Sequence, residues 1–385
     1  MTSVRTRQLP PRPPVVRAWS HAQRVLAVRL DSAGDVLMTT PALRALRARS
    51  EHLTLLTSPS GTEVARLLPE VDDIIVHEAA WMKPAREGSS PDDERDLIER
   101  VRAESFDAAV IFTVDSQSAL PAAMVLYLAG VPRRLAHVRE NPYGLLTDWV
   151  PDPESDTPIR HEVQRQIDLL GAVGIEVDDT HLSLHVPDAA TRRIRARLRD
   201  LGVGAGGRRG WLLVHPGATA PARRYPPDCF GHAIRLIHDR TGWMPILTGD
   251  ESEVPLVEAV RASAGGLGQS LAGKLSFAEL AAIVGAAPML ITNNTGPAHI
   301  AAALGTPVVD LYALTNLQHT PWRVPSRVLS VDVPCRGCLR SVCPLVHNRC
   351  LRGVEPSDIA DAVIDLAREV GLSIAARAAP ATLFG

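Results

Sequence analysis

RVLAVRLDSAGDVLMTTPALRALRAR, at residues 24–49, is the stretch of sequence that decides the fold. It begins with a short apolar run at 25–30, which is typical of a buried strand. A turn containing Gly34 follows, and then a segment with apolar side chains at helical spacing: Val36, Leu37, Leu43 and Leu46. We therefore predict a helix over 36–49, in which Pro41 disturbs at most the first turns. A strand, a tight turn and a helix are the first half of a βαβ unit.

The rest of the chain repeats this alternation in two blocks. Apolar runs predict strands at 53–57, 73–77, 108–114 and 134–138, and again at 211–215, 244–248, 289–292 and 308–312. Amphipathic segments predict helices at 228–240, 251–262, 277–285, 296–304 and 356–370. Repeated βα units imply parallel sheets covered by helices on both faces. The predicted fold class is therefore α/β, with two Rossmann-like, doubly wound domains that face each other across a cleft.

A polar, glycine-rich interruption separates the two blocks. We predict a flexible tail at 1–22, an N-terminal domain at 23–199, a linker at 200–210 and a C-terminal domain at 211–385. The total of 385 residues suits two domains. Hydrophobic residues make up 45% of the chain and charged residues 22%, which is ordinary for a globular protein.

The charge composition gives no reason to expect nucleic acid as a partner, because the net charge is only −2. Only Lys83 and Lys274 are lysines, so a cation that binds phosphate here is expected to be arginine. The N-terminus has no apolar signal core, and no apolar run approaches the length of a membrane span. We expect a cytoplasmic protein without a transmembrane segment, while peripheral contact with a membrane through a lipid-linked acceptor stays open.

The turn after the first strand carries Asp31 and Asp35. In an open α/β sheet, ligands bind outside the carboxyl ends of the strands. The dipole of the following helix favours the ionised form of Asp35, which is then able to act as a base. The alternative is that Asp35 only caps the helix. No dinucleotide-binding pattern of three glycines is present.

Two further loops carry groups suited to phosphate. The loop 215–226 contains Gly217 and the adjacent guanidiniums of Arg223 and Arg224, which suit bidentate phosphate recognition, although a solvated pair is the alternative. His215 is expected to be a packed core residue. The loop 293–299 contains Asn294, Thr295, Gly296, Pro297 and His299. Thr295 can cap the next helix, Gly296 permits close approach, and Pro297 suits the first turn. Gly249, at the end of another predicted strand, is a further candidate donor contact.

These loops, in this order, resemble glycosyltransferase family 9, the ADP-heptose-dependent heptosyltransferases of lipopolysaccharide assembly. The resemblance is carried by RLDSAGDVLMTTPALRALR (29–47), HPGATAPARRYPPDCF (215–230), LAGKLSFAELAAIVGAAPMLITNNTGPAHIAAALGTPVV (271–309) and the cysteine-containing tail. It covers almost everything from residue 24 to about residue 366. It implies the GT-B fold, with an N-terminal domain on the acceptor side and a C-terminal domain that binds the nucleotide sugar.

The resemblance also implies an inverting, metal-independent transfer that needs no cofactor. Asp35 matches the family's catalytic carboxylate, and Ser32, Gly34 and Thr39 belong to the same acceptor-side segment. Arg223 stands where the family commonly has lysine, and the implied role is to bind the diphosphate; arginine keeps the charge but changes the geometry of the contact. Thr295, Gly296 and His299 match the donor-binding segment, in which Asn294 replaces a frequent aspartate. The implied donor is ADP-heptose or another NDP-sugar, and the acceptor is a hydroxyl of a glycan, a lipid-linked saccharide or a natural product.

Two other functions remain open at this point. A GT-B-fold sugar-nucleotide epimerase would act on the donor alone, and a non-catalytic protein would only bind the nucleotide sugar. The four cysteines Cys335, Cys338, Cys343 and Cys350 lie between the last strand and the last helix. Their spacing is compatible with a structural zinc ion, one or two disulfides, an iron–sulfur cluster or reduced, packed thiols. We assign them no part in the sugar chemistry.

Overall fold

The computed structural model describes Trp19 and residues 22–83, 90–152, 160–203 and 210–374. Within these ranges the chain forms two sheets of six strands each, and every neighbouring pair of strands is parallel. The first sheet contains β1 (Arg24–Arg29), β2 (His52–Thr57), β3 (Asp73–Val76), β4 (Ala108–Ile111), β5 (Arg133–Val138) and β6 (Asp148–Pro151). The second contains β7 (Trp211–His215), β8 (Met244–Leu247), β9 (Gln269–Ser270), β10 (Leu290–Asn293), β11 (Val308–Leu311) and β12 (Ser326–Leu329).

Helices connect the strands on both faces of each sheet. In the N-terminal half these are α1 (Ala33–Arg47), α2 (Thr62–Ala65), α3 (Pro91–Ala103), α4 (Leu120–Leu128), α5 (Glu162–Gly171) and α6 (Asp188–Asp200). The C-terminal half contains α7 (Pro227–Thr241), α8 (Val254–Ser263), α9 (Phe277–Ala286), α10 (Gly296–Leu304), α11 (Arg349–Arg352) and α12 (Pro356–Glu369). None of the helices in the described ranges is long and apolar enough to cross a membrane.

The two sheets have the same strand order. It is β3-β2-β1-β4-β5-β6 in the first sheet and β9-β8-β7-β10-β11-β12 in the second. In each sheet the chain first adds strands on one side of its first strand and then adds strands on the other side. The strand order therefore reverses between β1 and β4 and between β7 and β10. Such a switch point opens a crevice at the carboxyl ends of the strands, where ligands bind. The loops singled out in the sequence after β1, β7 and β10 all lie at these two crevices.

Contacts between the two halves hold the two crevices opposite each other. Helix α10 packs against α1, and α6 packs against α9. Arg193 on α6 forms an ion pair with Glu279 on α9, with 2.8 Å between Nε and Oε1. Trp322, which follows β11, donates its indole N–H to the carbonyl oxygen of Thr180 at 2.7 Å. The cleft is therefore lined by both sheets.

The predicted strands and helices are present, with ends shifted by a few residues. Helix α1 begins at Ala33 rather than at 36, because Ser32 caps it, and it runs through Pro41 without a break. The periodicity missed the outer strands β6, β9 and β12, which are short or partly exposed and give a weak apolar signal. It also missed helices in the N-terminal half, among them α5, which carries a residue of the site described below.

The predicted tail and linker lie largely outside the described residues. Trp19 is nonetheless buried, and it donates its indole N–H to Oδ2 of Asp148 at 3.1 Å. The packed part of the chain therefore includes at least one residue of the segment predicted as a tail. For the linker, the structure describes residues 200–203 and 210, but not 204–209.

Candidate functional site

A cavity of about 780 Å³ lies between the two sheets, within the usual range for small-molecule sites. It brings together ten of the residues predicted from the sequence: Ser32, Gly34, Asp35, Arg223, Gly249, Asn294, Thr295, Gly296, Pro297 and His299. Three other predicted residues, Arg224, Gly217 and Thr39, are not among its lining residues. The carboxylate-bearing turn and the basic loop thus share one cavity, although they are almost 190 residues apart in the sequence.

Asp35 caps its helix and also faces the cavity. Ser32 is the N-cap of α1, and Asp35 occupies the third helical position, so that the two form a capping box. Oδ2 of Asp35 accepts hydrogen bonds from the backbone N–H of Ser32 at 3.0 Å and from its hydroxyl at 2.6 Å. These bonds fix the carboxylate at the edge of the cleft, so capping is compatible with a chemical role.

Behind Asp35 lies a fully buried guanidinium, that of Arg29 on β1, which three carboxylates share. Its Nη2 lies 3.3 Å from Oδ1 of Asp35 and 2.9 Å from Oε1 of Glu162, and its Nε lies 3.0 Å from Oδ2 of Asp31. Glu162 is the first residue of α5 and is also fully buried. In this cluster one permanently charged guanidinium faces three acidic groups. Because a single positive charge does not balance three negative ones, the pKa values of the three carboxyl groups differ.

The two aspartates of the β1–α1 turn, Asp31 and Asp35, have pKa values that are shifted in opposite directions. Burial on its own would raise the pKa of Asp35, but Arg29 and then His319 lower it, and the net pKa falls to about 2. Burial raises the pKa of Asp31 to about 6, which Arg29 only partly opposes and Asp35 reinforces. Near neutral pH, Asp35 is therefore the firmly ionised carboxylate of the pair.

Across the cavity, helix α10 presents its N-terminus. Thr295 occupies the N-cap position, but its side chain makes no capping hydrogen bond, contrary to the role that the sequence indicated. Gly296 and Pro297 form the start of the helix, and a Cβ placed on Gly296 would meet no atom within 4 Å. The first backbone N–H groups of a helix lack intrahelical acceptors and attract anions. The open space at Gly296 lets an anion reach them.

Arg223 is the cation beside this helix start, and it has unused hydrogen-bonding capacity. It lines the cavity, and its Nε is buried without a hydrogen-bond partner in the described residues. The nearby carboxyl of Asp310 on β11 is fully buried, which raises its pKa well above the ordinary value. Arg223 opposes this shift only in part, and its guanidinium stays charged at any ordinary pH and is available to a ligand.

The three predicted residues outside the lining have structural contacts. Arg224 donates Nε to the carbonyl oxygen of Ala218 at 2.6 Å and so stabilises the basic loop. A Cβ on Gly217 would lie 2.0 Å from Oε1 of Glu253, so a larger residue here would displace the Glu253 carboxylate. Thr39 is fully buried, and its hydroxyl donates to the carbonyl oxygen of Asp35 at 2.8 Å.

The histidines of the cleft differ in their roles. His215 is buried, its Nδ1 lies 3.1 Å from Oγ1 of Thr248, and burial lowers its pKa to about 4. It is packed and hydrogen-bonded, as expected, and it also lines the cavity. His299 is buried as well, and burial followed by the electrostatic effect of the neighbouring His319 lowers its pKa to about 3. A Cβ on Gly34 would approach Cδ2 of His299 to 2.7 Å, so the glycine lets α1 and α10 come close.

Sequence reasoning missed several functional candidates. His319 and Asn316 line the cavity from the loop after β11, and Glu162 reaches the Arg29 cluster from α5. The loop after β11 begins at the carboxyl end of a predicted strand, and that position was the available signal. Glu162 had no such signal, because its helix was not predicted.

The four clustered cysteines line a separate, small cavity together with His347. All four are free thiols in this structure. In the described part of the chain, no group of three or more His, Cys, Asp or Glu side chains is arranged to hold a metal ion. The cysteine segment adjoins the basic loop, because Ala222 also lines the small cavity and donates its N–H to the carbonyl oxygen of Ser341.

Comparison with known proteins agrees with this geometry. The family model described as glycosyltransferase family 9 (heptosyltransferase) matches residues 94–348, which is more than half of the chain. The chain belongs to glycosyltransferase family 9. Family membership makes it a transferase, and the two facing doubly wound sheets are the GT-B arrangement of that family.

Relatives of known name are distant but cover most of the chain. Lipopolysaccharide heptosyltransferase 3 of Escherichia coli is 24% identical over 75% of this chain and 83% of its own length. Lipopolysaccharide heptosyltransferase 2 of E. coli K12 is 25% identical over 77% of this chain and 85% of its own length.

Two solved structures share the fold. A family 9 glycosyltransferase from Veillonella parvula has a TM-score of 0.74 at 21% identity and covers 90% of this chain and 98% of its own. The ADP-heptose lipopolysaccharide heptosyltransferase II of E. coli has a TM-score of 0.69 at 22% identity and covers 91% and 100%.

Proposed function

We propose that this family 9 glycosyltransferase is an inverting heptosyltransferase that uses ADP-heptose as donor and a saccharide hydroxyl as acceptor. The observation that carries the proposal is the placement of an ionised carboxylate, Asp35, across one cavity from Arg223 and the helix N-terminus at Gly296. Nε of Arg223 has no hydrogen-bond partner in the described residues. A transfer reaction needs a base on the acceptor side and positive charge on the leaving-group side, and the cavity supplies both.

In the proposed reaction, Asp35 removes the proton from the acceptor hydroxyl as its oxygen bonds to the anomeric carbon. The bond between that carbon and the diphosphate oxygen breaks on the opposite face, which inverts the configuration. The proton ends on Asp35, and the bond electrons leave with ADP. A low pKa makes Asp35 a weak base in the ground state. It accepts the proton only in the transition state, when positive charge developing on the acceptor oxygen makes the hydroxyl proton acidic.

The departing diphosphate gains negative charge, which the C-terminal half of the cleft is able to stabilise. Arg223 and the first N–H groups of α10 lie together on that side. Both favour an anion without any change of protonation. Leu275, Phe277 and Leu280 form an apolar part of the same cavity, which suits a nucleobase.

The N-terminal half is assigned to the acceptor. Ser32 and Gly34 line the cavity beside Asp35, on the side of the first sheet. The relatives named above act on lipopolysaccharide according to their names, and a lipopolysaccharide core saccharide is therefore the first acceptor to test. We place the reaction in the cytoplasm, with peripheral membrane contact where the acceptor carries a lipid.

The base is tested by Asp35→Asn, with Asp31→Asn as the matched variant in the same turn. Asp35→Asn should keep the affinity for ADP and lower turnover by roughly 10²–10⁴-fold, the usual range for loss of a positioned base. Asp31→Asn removes the neighbouring carboxylate and should cost less. An Asp35→Asn enzyme that keeps more than about a tenth of wild-type turnover, or an equal loss in Asp31→Asn, would exclude Asp35 as the base.

The donor is identified by thermal shift with ADP-, GDP-, UDP- and dTDP-sugars. An ADP-sugar should stabilise the protein most, because ligand binding to the folded state raises its stability. Incubation with the donor alone separates transfer from epimerisation. A transferase leaves the sugar nucleotide largely unchanged without an acceptor, whereas an epimerase converts it. A protein that only binds the nucleotide sugar would be unaffected in every property by Asp35→Asn.

A further inference from the structure

Two buried carboxylates beside the cleft each have one satisfied oxygen and one free oxygen. Asp35 uses Oδ2 for the two bonds from Ser32, and Glu162 uses Oε1 for bonds from Arg29 at 2.9 Å and from Nε2 of Gln166 at 2.6 Å. Oδ1 of Asp35 and Oε2 of Glu162 are buried and accept no hydrogen bond from the described residues, although Oδ1 of Asp35 forms an ion pair with Nη2 of Arg29 at 3.3 Å. Buried carboxylate oxygens normally have donors, so a donor for these two is to be sought nearby.

Both free oxygens face the same nitrogen. Nε2 of His319 lies 3.9 Å from Oδ1 of Asp35 and 3.9 Å from Oε2 of Glu162. His319 belongs to the loop after β11, in the half of the protein that we assign to the donor. The separation exceeds a hydrogen bond of about 2.9 Å by about 1 Å. A small approach of the ring is therefore enough to form one.

The surroundings of His319 determine which ring nitrogen carries the hydrogen. Oδ1 of Asn316 accepts the backbone N–H of Gln318 at 2.9 Å, and this bond fixes the orientation of the Asn316 amide. Its Nδ2 then points towards His319, where it lies 3.2 Å from Nδ1. The same Nδ2 lies 3.4 Å from Nε2, so the amide does not single out one ring nitrogen. Ionised carboxylate oxygens can only accept, so a hydrogen on Nε2 is the arrangement that satisfies Asp35 and Glu162. The hydrogen faces the two free carboxylate oxygens.

The backbone on both sides of His319 is bound to the N-terminal half. The N–H of Glu162 donates to the carbonyl oxygen of Gln318 at 2.9 Å. Nε2 of His161 lies 2.8 Å from the carbonyl oxygen of Thr320, and its Nδ1 accepts the N–H of Val163, so Nε2 is the donor. His319 itself donates its backbone N–H to the hydroxyl oxygen of Tyr312 at 3.1 Å. The ring is thus held at the carboxylates by both halves of the protein.

We propose that His319 is a positioning residue for Asp35, whose Oδ1 accepts the Nε2 hydrogen of His319 in the donor-bound enzyme, with Glu162 as the second acceptor. The inference rests on the proposed role of Asp35 as base. With Oδ1 held by Arg29 and His319 and Oδ2 held by Ser32, the carboxylate plane is fixed. Since Oδ1 is buried, Oδ2 is the oxygen that meets the acceptor hydroxyl. The C-terminal half thereby orients the base on the N-terminal half.

The test compares His319→Gln with His319→Asn. The glutamine amide reaches the position of Nε2 and keeps a donor towards the carboxylates, whereas the asparagine amide reaches only the position of Nδ1. His319→Asn should lower kcat by about 10–100-fold, since misplacing a reacting group by about 1 Å costs up to about 10²-fold. The KM for the donor and the thermal shift with ADP should change less than about twofold. His319→Gln should keep most of the activity.

Three results would overturn the inference. One is a kcat for His319→Asn within about twofold of wild type, and another is an equal loss in both variants. The third is a loss that falls on donor affinity, which would make His319 a donor contact instead. Circular dichroism confirms the fold of each variant. If His319→Asn does not fold, His319→Leu takes its place with the same expectation.

Combination with Asp35→Asn separates this inference from the proposed function. A residue that acts through Asp35 has no further effect once the carboxylate is gone, so the double variant His319→Asn/Asp35→Asn should match Asp35→Asn alone. A further loss of about tenfold in the double variant would show that His319 acts independently of Asp35. If Asp35→Asn itself stays active, the proposed base fails, whatever the effect of His319.

Discussion

Arg223 shows how a single residue prepares the donor side of the cleft. Its Nε is buried without a partner in the described part of the chain, while its neighbour Arg224 is tied to the carbonyl oxygen of Ala218. From the sequence alone, the guanidiniums of Arg223 and Arg224 were equivalent candidates for binding phosphate. Only their contacts distinguish the side chain that is available to a ligand from the one that stabilises the loop.

We predict that Arg223→Ala weakens ADP binding by about 1.5–3 kcal/mol, as expected for a charge-assisted hydrogen bond. Isothermal titration calorimetry measures this directly. Arg86, in a polar loop to which the sequence assigns no role, lies outside the described residues, and Arg368 on the exposed face of α12 is the better control. Arg368→Ala makes the same change of charge in the same half of the protein. Equal effects from the two variants would mean that overall charge, and not a specific site, attracts the donor.

At the scale of a secondary-structure element, helix α10 contributes to the cavity through its N-terminus and its small side chains. Alanines and a glycine let its N-terminal turn lie against the cavity, and His299 within it contacts α1 beside Gly34. The free N–H groups and the basic loop converge because β7 and β10 are neighbours in the sheet. An element of nine residues thus contributes both to the proposed diphosphate site and to the contact between the two halves.

Gly296→Ala separates these two roles. The new methyl group meets no protein atom within 4 Å, so the folded protein should be as stable as wild type or up to about 1 kcal/mol more stable, because alanine restricts the unfolded chain. ADP binding should nevertheless weaken by about tenfold, or about 1.4 kcal/mol, since the methyl group occupies the approach to the helix N–H groups.

Gly171→Ala is the control for that variant. Gly171 ends α5, and a Cβ there also meets no protein atom within 4 Å. It should show a similar effect on melting temperature and leave ADP affinity unchanged. Unchanged ADP affinity in Gly296→Ala would place the diphosphate away from the start of α10.

The accuracy with which the sequence predicts the structure differs from one element to another. Strands such as β1 and β7, buried along nearly their whole length, gave continuous apolar runs and could be placed to within about a residue. The loops after them could be predicted as ligand-binding because position at a strand end has a physical meaning. Asp35 and Arg223 were predicted in this way, and the structure places both at one cavity.

His319, Asn316 and Glu162 could not be found in this way. Their importance lies in distances between segments that are far apart in the chain, such as 3.9 Å from His319 to Asp35. No local periodicity encodes such a distance. Glu162 in addition belongs to a helix whose amphipathic pattern is short. Burial of a charged residue at the start of an unpredicted helix is visible only once the fold is known.

At the scale of the whole molecule, the cysteine segment reaches the active cleft. Leu339 and Ser341 of this segment line the large cavity, and Ala222 joins the segment to the basic loop that carries Arg223. We propose that the four cysteines stabilise this segment and take no part in transfer. Metal analysis and thiol titration distinguish a bound metal, disulfides and reduced thiols. The result bears on the stability of the donor side rather than on the chemistry.

The charge distribution over the two halves predicts that transfer does not depend on a divalent cation. Enzymes that hold such an ion for a diphosphate commonly use a pair of carboxylates with one residue between them. Asp152-Pro153-Glu154 has that spacing, as do other acidic pairs of the sequence, but only Asp152 of the two lies in the described residues. The carboxylates that line the cavity, Asp31, Asp35, Asp250 and Glu253, include no such pair. Asp152 follows the edge strand β6, and Nη1 of Arg165 lies 2.6 Å from its Oδ1, so this carboxylate already has a cation. In the proposed reaction, Arg223 and the start of α10 stabilise the leaving group instead.

Activity should therefore survive treatment with EDTA, with at most modest stimulation by Mg²⁺. The cysteine segment complicates this experiment, because removal of a structural metal could unfold it. The assay is thus paired with circular dichroism and a zinc determination on the same sample. Loss of turnover together with loss of structure would locate the metal in the fold and leave the donor site as described. Loss of turnover in a chelated enzyme that stays folded, restored by Mg²⁺ or Mn²⁺, would instead show that Arg223 and α10 do not suffice for the diphosphate.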